Sequence, residues 1–203
     1  MIELKKLINK IDYRKVFNSI SEFIKNNSTV ILLFLVIFLL LFFQHDVVSM
    51  YFDDYGNASL SYSYVTPDVS GTNYTLAQLW EWAINVYNNF GGRIFYAISF
   101  IIPLLKHGIS LFMHIQAVII TLIMFVSYKI VSYKSSNKKF NLLVPIMLFI
   151  LYSLINMVYL RHGIYWASAS VLYIWPILPM VTFMYLYIKV IDHIKNKEKF
   201  NYV

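Results

Sequence analysis

The sequence predicts an all-α polytopic membrane protein, with about four transmembrane helices and amphipathic juxtamembrane helices in a large first outer loop. Three observations predict it. Hydrophobic residues make up 59% of the chain and charged residues only 13%, with a mean hydropathy of +0.61; soluble domains carry about twice that share of charge. Several apolar windows reach the ~20 residues that a helix needs to cross a hydrocarbon core of roughly 30 Å. The basic residues, which give a net charge of +7, cluster beside those windows, as the cytoplasmic flanks of membrane helices do. The expected partner is therefore the lipid bilayer and not nucleic acid. Cysteine is absent, which excludes a disulfide framework and a thiolate metal site.

Residues 1–28 read as a cytoplasmic amphipathic segment. Lys5, Lys6, Lys10, Arg14, Lys15 and Lys25 stand against Glu3, Asp12 and Glu22, while Ile8, Ile11, Phe17, Ile20 and Ile24 recur at near-helical spacing. Such a helix lies on the inner leaflet. Residues 29–203 read as a single transmembrane domain whose first span covers 29–45. This is not a cleaved signal peptide, because the preceding segment is long and Gln44-His45-Asp46 lacks small residues at a cleavage position.

The outer loop, 46–108, is polar and turn-rich at first. Thr75-Leu76-Ala77-Gln78 then reads as a capping box, followed by Leu76, Leu79, Trp80, Ala83, Ile84 and Tyr87 on one helical face. Gly91-Gly92 ends that helix, and 94–105 is apolar but short, with Pro103 inside it. Three further spans are expected at 109–130, 140–160 and 168–191, the last kinked by Pro176 and Pro179.

Charge decides whether 94–105 crosses. If it does not, all of the 17 Lys and Arg residues except Arg93, Lys106 and Arg161 share one side. The positive-inside rule then puts both termini in the cytoplasm and the two loops, 46–108 and 161–167, outside. A multi-pass protein of a bacterial plasma (inner) membrane is expected.

That outer face collects the unusual polar residues. Asp53-Asp54-Tyr55 lies just beyond the first span; paired carboxylates can hold a divalent cation or accept a proton from an attacking hydroxyl. A solvated acidic turn ending at Gly56 is the plain alternative. Arg93 follows two glycines and opens an apolar helix, where guanidinium and helix N-terminus together favour phosphate; interfacial snorkelling is its alternative. Arg161-His162 precedes Tyr165-Trp166, so that a phosphate and a sugar ring find partners side by side, unless these residues form only an aromatic belt. Trp80, Trp82 and Tyr87 read equally as interfacial anchors. Asn156 and Tyr173 are candidates to face a cavity, whereas His114 and Gln116 should hydrogen-bond to neighbouring helices. Asn27, Asn57 and Asn73 match the glycosylation acceptor pattern. No nucleotide-binding loop, zinc spacing or serine nucleophile motif is present.

The order of these features resembles the N-terminal half of GT-C-type membrane glycosyltransferases. More narrowly, it is similar to bacterial O-antigen glucosyltransferases of the Gtr type. The resemblance runs over roughly 29–180 and rests on Asp53-Asp54-Tyr55, Trp80-Glu81-Trp82, Gly91-Gly92-Arg93 and the stretch from Ala167-Ser168 to Tyr173-Ile174-Trp175-Pro176. Gly91 stands where the family has Asn, Val171-Leu172 where another Asn is expected, and the family's later spans have no counterpart.

The resemblance implies sugar transfer from a polyprenyl-phosphate donor to an extracytoplasmic glycan or lipid acceptor, by a short or truncated form. Asp53 or Asp54 is then the base or the acceptor-binding carboxylate, with Mg or Mn as the cation that the pair holds. Tyr55, Trp80, Arg93, Arg161, His162, Tyr165, Trp166 and Tyr173 are the implied substrate contacts. The competing expectation is a non-catalytic membrane protein: a truncated remnant, an assembly subunit or a lipid-sugar flippase partner, working with a second membrane subunit.

Overall fold

The computed structural model describes residues 13–51, 54–60, 74–89, 106 and 108–195. All regular structure among them is helical. α1 (Tyr13–Asp46), α4 (Ile109–Val131) and the stretch from Ala167 to Lys195 are each long and apolar enough to cross a membrane. At ~1.5 Å per residue, the 23 residues of α4 extend for roughly 35 Å, against a hydrocarbon core of ~30 Å. A fourth span exists if α5 (Lys138–Ser153) and the bent piece that follows it count as one.

α1 is unbroken across the boundary that the sequence analysis drew at 28. Asn26-Asn27-Ser28-Thr29 is polar but holds neither proline nor glycine, so nothing stops the backbone ladder there. Inside the span, α1 buries Val30, Phe34, Ile37, Leu41 and His45. α4 buries Met113, Ala117, Ile120, Met124 and Tyr128. This alternation of three and four residues produces one narrow seam per helix, as in coiled coils. Phe34 meets Phe125 and Tyr128 edge-on across the seam, at 5.3 and 5.6 Å between ring centroids. α5 packs Val144 and Tyr152 against the same core.

The sequence predicts a span over 140–160, and in the structure this stretch is broken. α5 ends at Ser153, and the chain turns by 86° into a short helix, α6 (Met157–Tyr159). Asn156 causes the restart, its side-chain oxygen accepting the Val158 N–H at 2.9 Å. A π-helical turn over Leu160–Ile164 follows. It leads through Tyr165 and Trp166 into α7 (Ala167–Tyr173), which stops before Pro176 and is succeeded by α8 (Ile177–Lys195). Pro179 sits in the first turn of α8, where a missing N–H costs little.

The remaining helices form a cap over one end of the bundle. The box at Thr75 and Gln78 is present: Thr75 N–H donates to Gln78 Oε1 at 2.8 Å, and Gln78 N–H to Thr75 Oγ1 at 3.3 Å. It opens α3 (Leu76–Asn89). The buried face of α3 is Leu79, Trp82 and Ala83, while Leu76, Trp80, Ile84 and Tyr87 are exposed. The face drawn from periodicity was therefore rotated, because Trp82 takes the core position. These side chains pack with Ala58, Leu60, Phe112, Met113, Ala167 and Val171. Gln116 does join two helices, as expected: its amide donates to Ile164 O at 3.4 Å, and its Oε1 accepts from Trp175 Nε1. His114 donates to Asp46 Oδ1 at 3.1 Å and stacks on Phe42.

Candidate functional site

Asp54 opens the short helix α2 (Asp54–Ala58) and is completely buried. Its Oδ1 accepts the Ser168 N–H at 2.9 Å and the Ser168 hydroxyl at 2.7 Å. Its Oδ2 accepts the N–H groups of Ala167 at 3.3 Å and Tyr51 at 3.2 Å. Asp54 is thus a capping residue supplied to α7 from more than a hundred positions away, satisfying N–H groups that a helix start leaves unpaired. Asn57 completes the contact, its Nδ2 donating to Ser168 Oγ at 2.8 Å. Burial pushes the Asp54 carboxyl above its ordinary value, while the hydrogen bonds from Ser168, Tyr51 and Ala167 pull the other way.

This donor set does not fit a metal ligand at Asp54. Four hydrogens already point at the two oxygens that a cation requires. Among the described residues no three His, Cys, Asp or Glu side chains group as a metal site. Asp53 and Arg93, also expected at the site, lie outside the described residues. Asn57 is buried and hydrogen-bonded, so its match to the glycosylation pattern carries no acceptor.

Three of the expected contacts, Arg161, His162 and Trp166, do converge on Tyr51, which the sequence did not single out. The Arg161 guanidinium lies over the Tyr51 ring, 4.5 Å from its centroid. His162 donates through Nδ1 to Val158 O at 2.7 Å, which leaves Nε2 to accept the Tyr51 hydroxyl at 3.4 Å. Trp166 stands edge-on to Tyr51 at 6.1 Å. Tyr165 meets the buried His45 edge-on at 5.3 Å. The π-helical turn makes this possible, because its extra residue per turn re-aims the side chains of Arg161 and His162.

Beside Arg161 lies a cavity of about 350 Å³. The end of α1 and the residues after it contribute Gln44, Val47 and Val48, the far wall is Met157, Arg161 and Tyr165, and Tyr51 completes it. The lining therefore pairs one cation with hydroxyl and amide groups and with apolar side chains, the composition that suits an amphiphile with an anionic head. Arg161 forms no ion pair among the described residues.

Tyr55, Trp80 and Tyr173 are exposed and do not line the cavity. Tyr51 and Gln44 were not among the expected site residues, and Ser168 entered only as part of the stretch that carries the resemblance. Only Tyr51 left a signal, standing three positions before an acidic residue, the spacing at which a side chain reaches back to a helix-opening N–H. No family model, no curated protein and no solved structure matches this chain.

Proposed function

We propose that this chain is a membrane protein that binds a phosphate-bearing lipid at the Arg161–Tyr51 cavity and transfers its sugar to an extracytoplasmic glycan or lipid acceptor. The observation that carries the reading is the meeting of Arg161 and Tyr165 in one cavity at the end of the apolar helices. A guanidinium stacked on an aromatic face keeps its N–H edge available for phosphate oxygens. It offers fixed positive charge to a phosphate leaving group without reorganisation. Val47 and Met157 are largely exposed at the cavity mouth and suit the first carbons of an isoprenoid chain. Two of the four segments that carry the resemblance, around Asp54 and around Ser168, are also in direct contact, which supports reading them as one unit.

In this reading Arg161 holds the donor phosphate and Tyr165, which lines the same cavity, flanks the sugar. Asp53 is the base that takes the acceptor's proton, since the oxygens of Asp54 are occupied. A second reading, a non-catalytic membrane subunit or flippase partner that binds the same lipid, is favoured by that occupation of Asp54.

The test uses the full chain in nanodiscs with a radiolabelled polyprenyl-phosphate glucose and an isolated envelope glycan as acceptor. Transfer by the wild type, lost in Asp53→Asn and reduced at least about tenfold in Arg161→Gln, is the expected result. Donor binding without transfer selects the second reading. Unchanged donor binding in Arg161→Gln refutes both.

A further inference from the structure

Asp54 does not line the cavity, yet the residue that holds Arg161 in place hangs from it. α1 ends at Asp46, and the chain leaves the helix before Tyr51. Tyr51 N–H donates to Asp54 Oδ2 at 3.2 Å, and Asp54 N–H donates back to Tyr51 O at 3.0 Å. This reciprocal pair ties Tyr51 to the first residue of α2. The same carboxylate then grips Ala167 and Ser168, while the Tyr51 ring and hydroxyl grip Arg161 and His162. Residues 161–168 are thus clasped at both ends by one short stretch of chain.

We infer that Asp54 is a positioning residue, which fastens Tyr51 to the start of α7 and thereby sets where the Arg161 guanidinium stands on the cavity wall. Only the ligand in this inference rests on the proposed function; the fastening stands on the geometry. Without the carboxylate, the N–H groups of Tyr51, Ala167 and Ser168 lose their shared acceptor. The bond from the Asp54 N–H to Tyr51 O remains but does not reach α7, so the Tyr51 ring shifts relative to α7 and the guanidinium that it covers is released toward water. The acid at this position therefore acts through Arg161 and touches neither sugar nor acceptor.

Because the chain has no cysteine, the fastening can be read directly. Val47 and Met157 are exposed residues of the cavity lining, on the α1 end and on α6, and spin labels at Val47→Cys and Met157→Cys report the distance between those two elements. In nanodiscs the wild-type background should yield one narrow distance distribution. Asp54→Asn, and the milder Ser168→Ala, should broaden it. Farnesyl phosphate serves as the ligand probe, with inorganic phosphate as control. Asp54→Asn should weaken farnesyl phosphate binding by about tenfold, but cause no further loss when Arg161→Gln is already present. A general loss of folding would weaken the probe in both backgrounds. An unchanged distance distribution in both Asp54→Asn and Ser168→Ala overturns the fastening. Equal losses with and without Arg161 overturn the positioning role. If the wild type binds no farnesyl phosphate, the lipid reading of the cavity fails, and the distances still decide the fastening.

Discussion

At Asp54 two effects oppose one another. Burial raises its carboxyl above the ordinary 3.8, and four accepted hydrogen bonds reduce that rise without reversing it. The sign of the pH dependence follows. A group whose folded pKa lies above its unfolded one contributes stability that is complete below the unfolded value and lost as pH rises through the folded value. Unfolding temperatures measured in detergent should therefore decline with pH between about 4 and the raised value, and this part of the slope should vanish in Asp54→Asn. That variant should also lose about 2–4 kcal/mol at neutral pH, since an amide nitrogen turned toward backbone N–H groups leaves donors unpaired in a buried site. The acidic pair was visible in the sequence as a candidate site. Its use as a cap was not, because the N–H groups that it satisfies belong to residues brought near only by folding.

Individual helices divide into those that local residues specify and those that packing decides. Thr75 and Gln78 announce α3 through their spacing, and the structure contains the box. Gly108 is a second local device. It precedes α4 with φ +98 and ψ 163, a conformation that a side chain resists even though an added Cβ would meet nothing within 4 Å. Gly108→Ala should accordingly cost about 1–3 kcal/mol through backbone strain alone, and Asn156→Ala about 1 kcal/mol through the lost cap on α6. Thermal unfolding with wild type as reference measures both. Over 140–160 the apolar run hides the break, because hydropathy is blind to direction. Asn156 was legible as a polar residue in a greasy stretch, but the bend needs a cap, a π-helical turn and a bundle end to fold back upon. Periodicity also drew the face of α3 one step off, because Trp80 and Trp82, two positions apart, lie on nearly opposite sides of the helix and only one of them can enter the core. Trp82 is the one that joins the buried cluster with Phe112 and Ala167.

Across the molecule, helix ends sort by charge and chemistry. Asp46, Ser153 and Arg161–Trp166 gather at one end, joined by contacts such as Tyr152 hydroxyl to Gln44 Oε1 at 3.5 Å. At the other end Asp192 of α8 accepts from Tyr133 at 3.0 Å and from Lys134, tying the α4–α5 turn to α8. Lys129, Lys138, Lys139, Lys189 and Lys195 belong to the helix ends on this side. The positive-inside rule makes it the cytoplasmic side of the proposed topology. In the cysteine-free chain, Val47→Cys should then react with a membrane-impermeant maleimide from outside intact spheroplasts, and Lys138→Cys only in inverted vesicles. Labelling of both from one side contradicts the alternating arrangement. Only 6% of the best window in Ala167–Lys195 is buried, against 33% in α4. α8 is therefore an edge helix whose apolar surface suits lipid, whereas α4 is the element on which the others are assembled.

By itself the sequence determined that this chain is helical, where its longest apolar helices lie, which ends carry the basic residues and which capped turn starts α3. Those features depend on hydropathy, charge and contacts within a few residues, all of which can be read along a line. Tertiary structure alone decided that α5 breaks before 160, that Arg161 meets Tyr51 over a cavity, and that Asp54 serves α7. The last two join residues more than a hundred positions apart, and the first needs a bundle end to fold back upon. A hydrogen bond or a ring contact exists only when both partners arrive at the same place, and no local pattern in the chain states that they will.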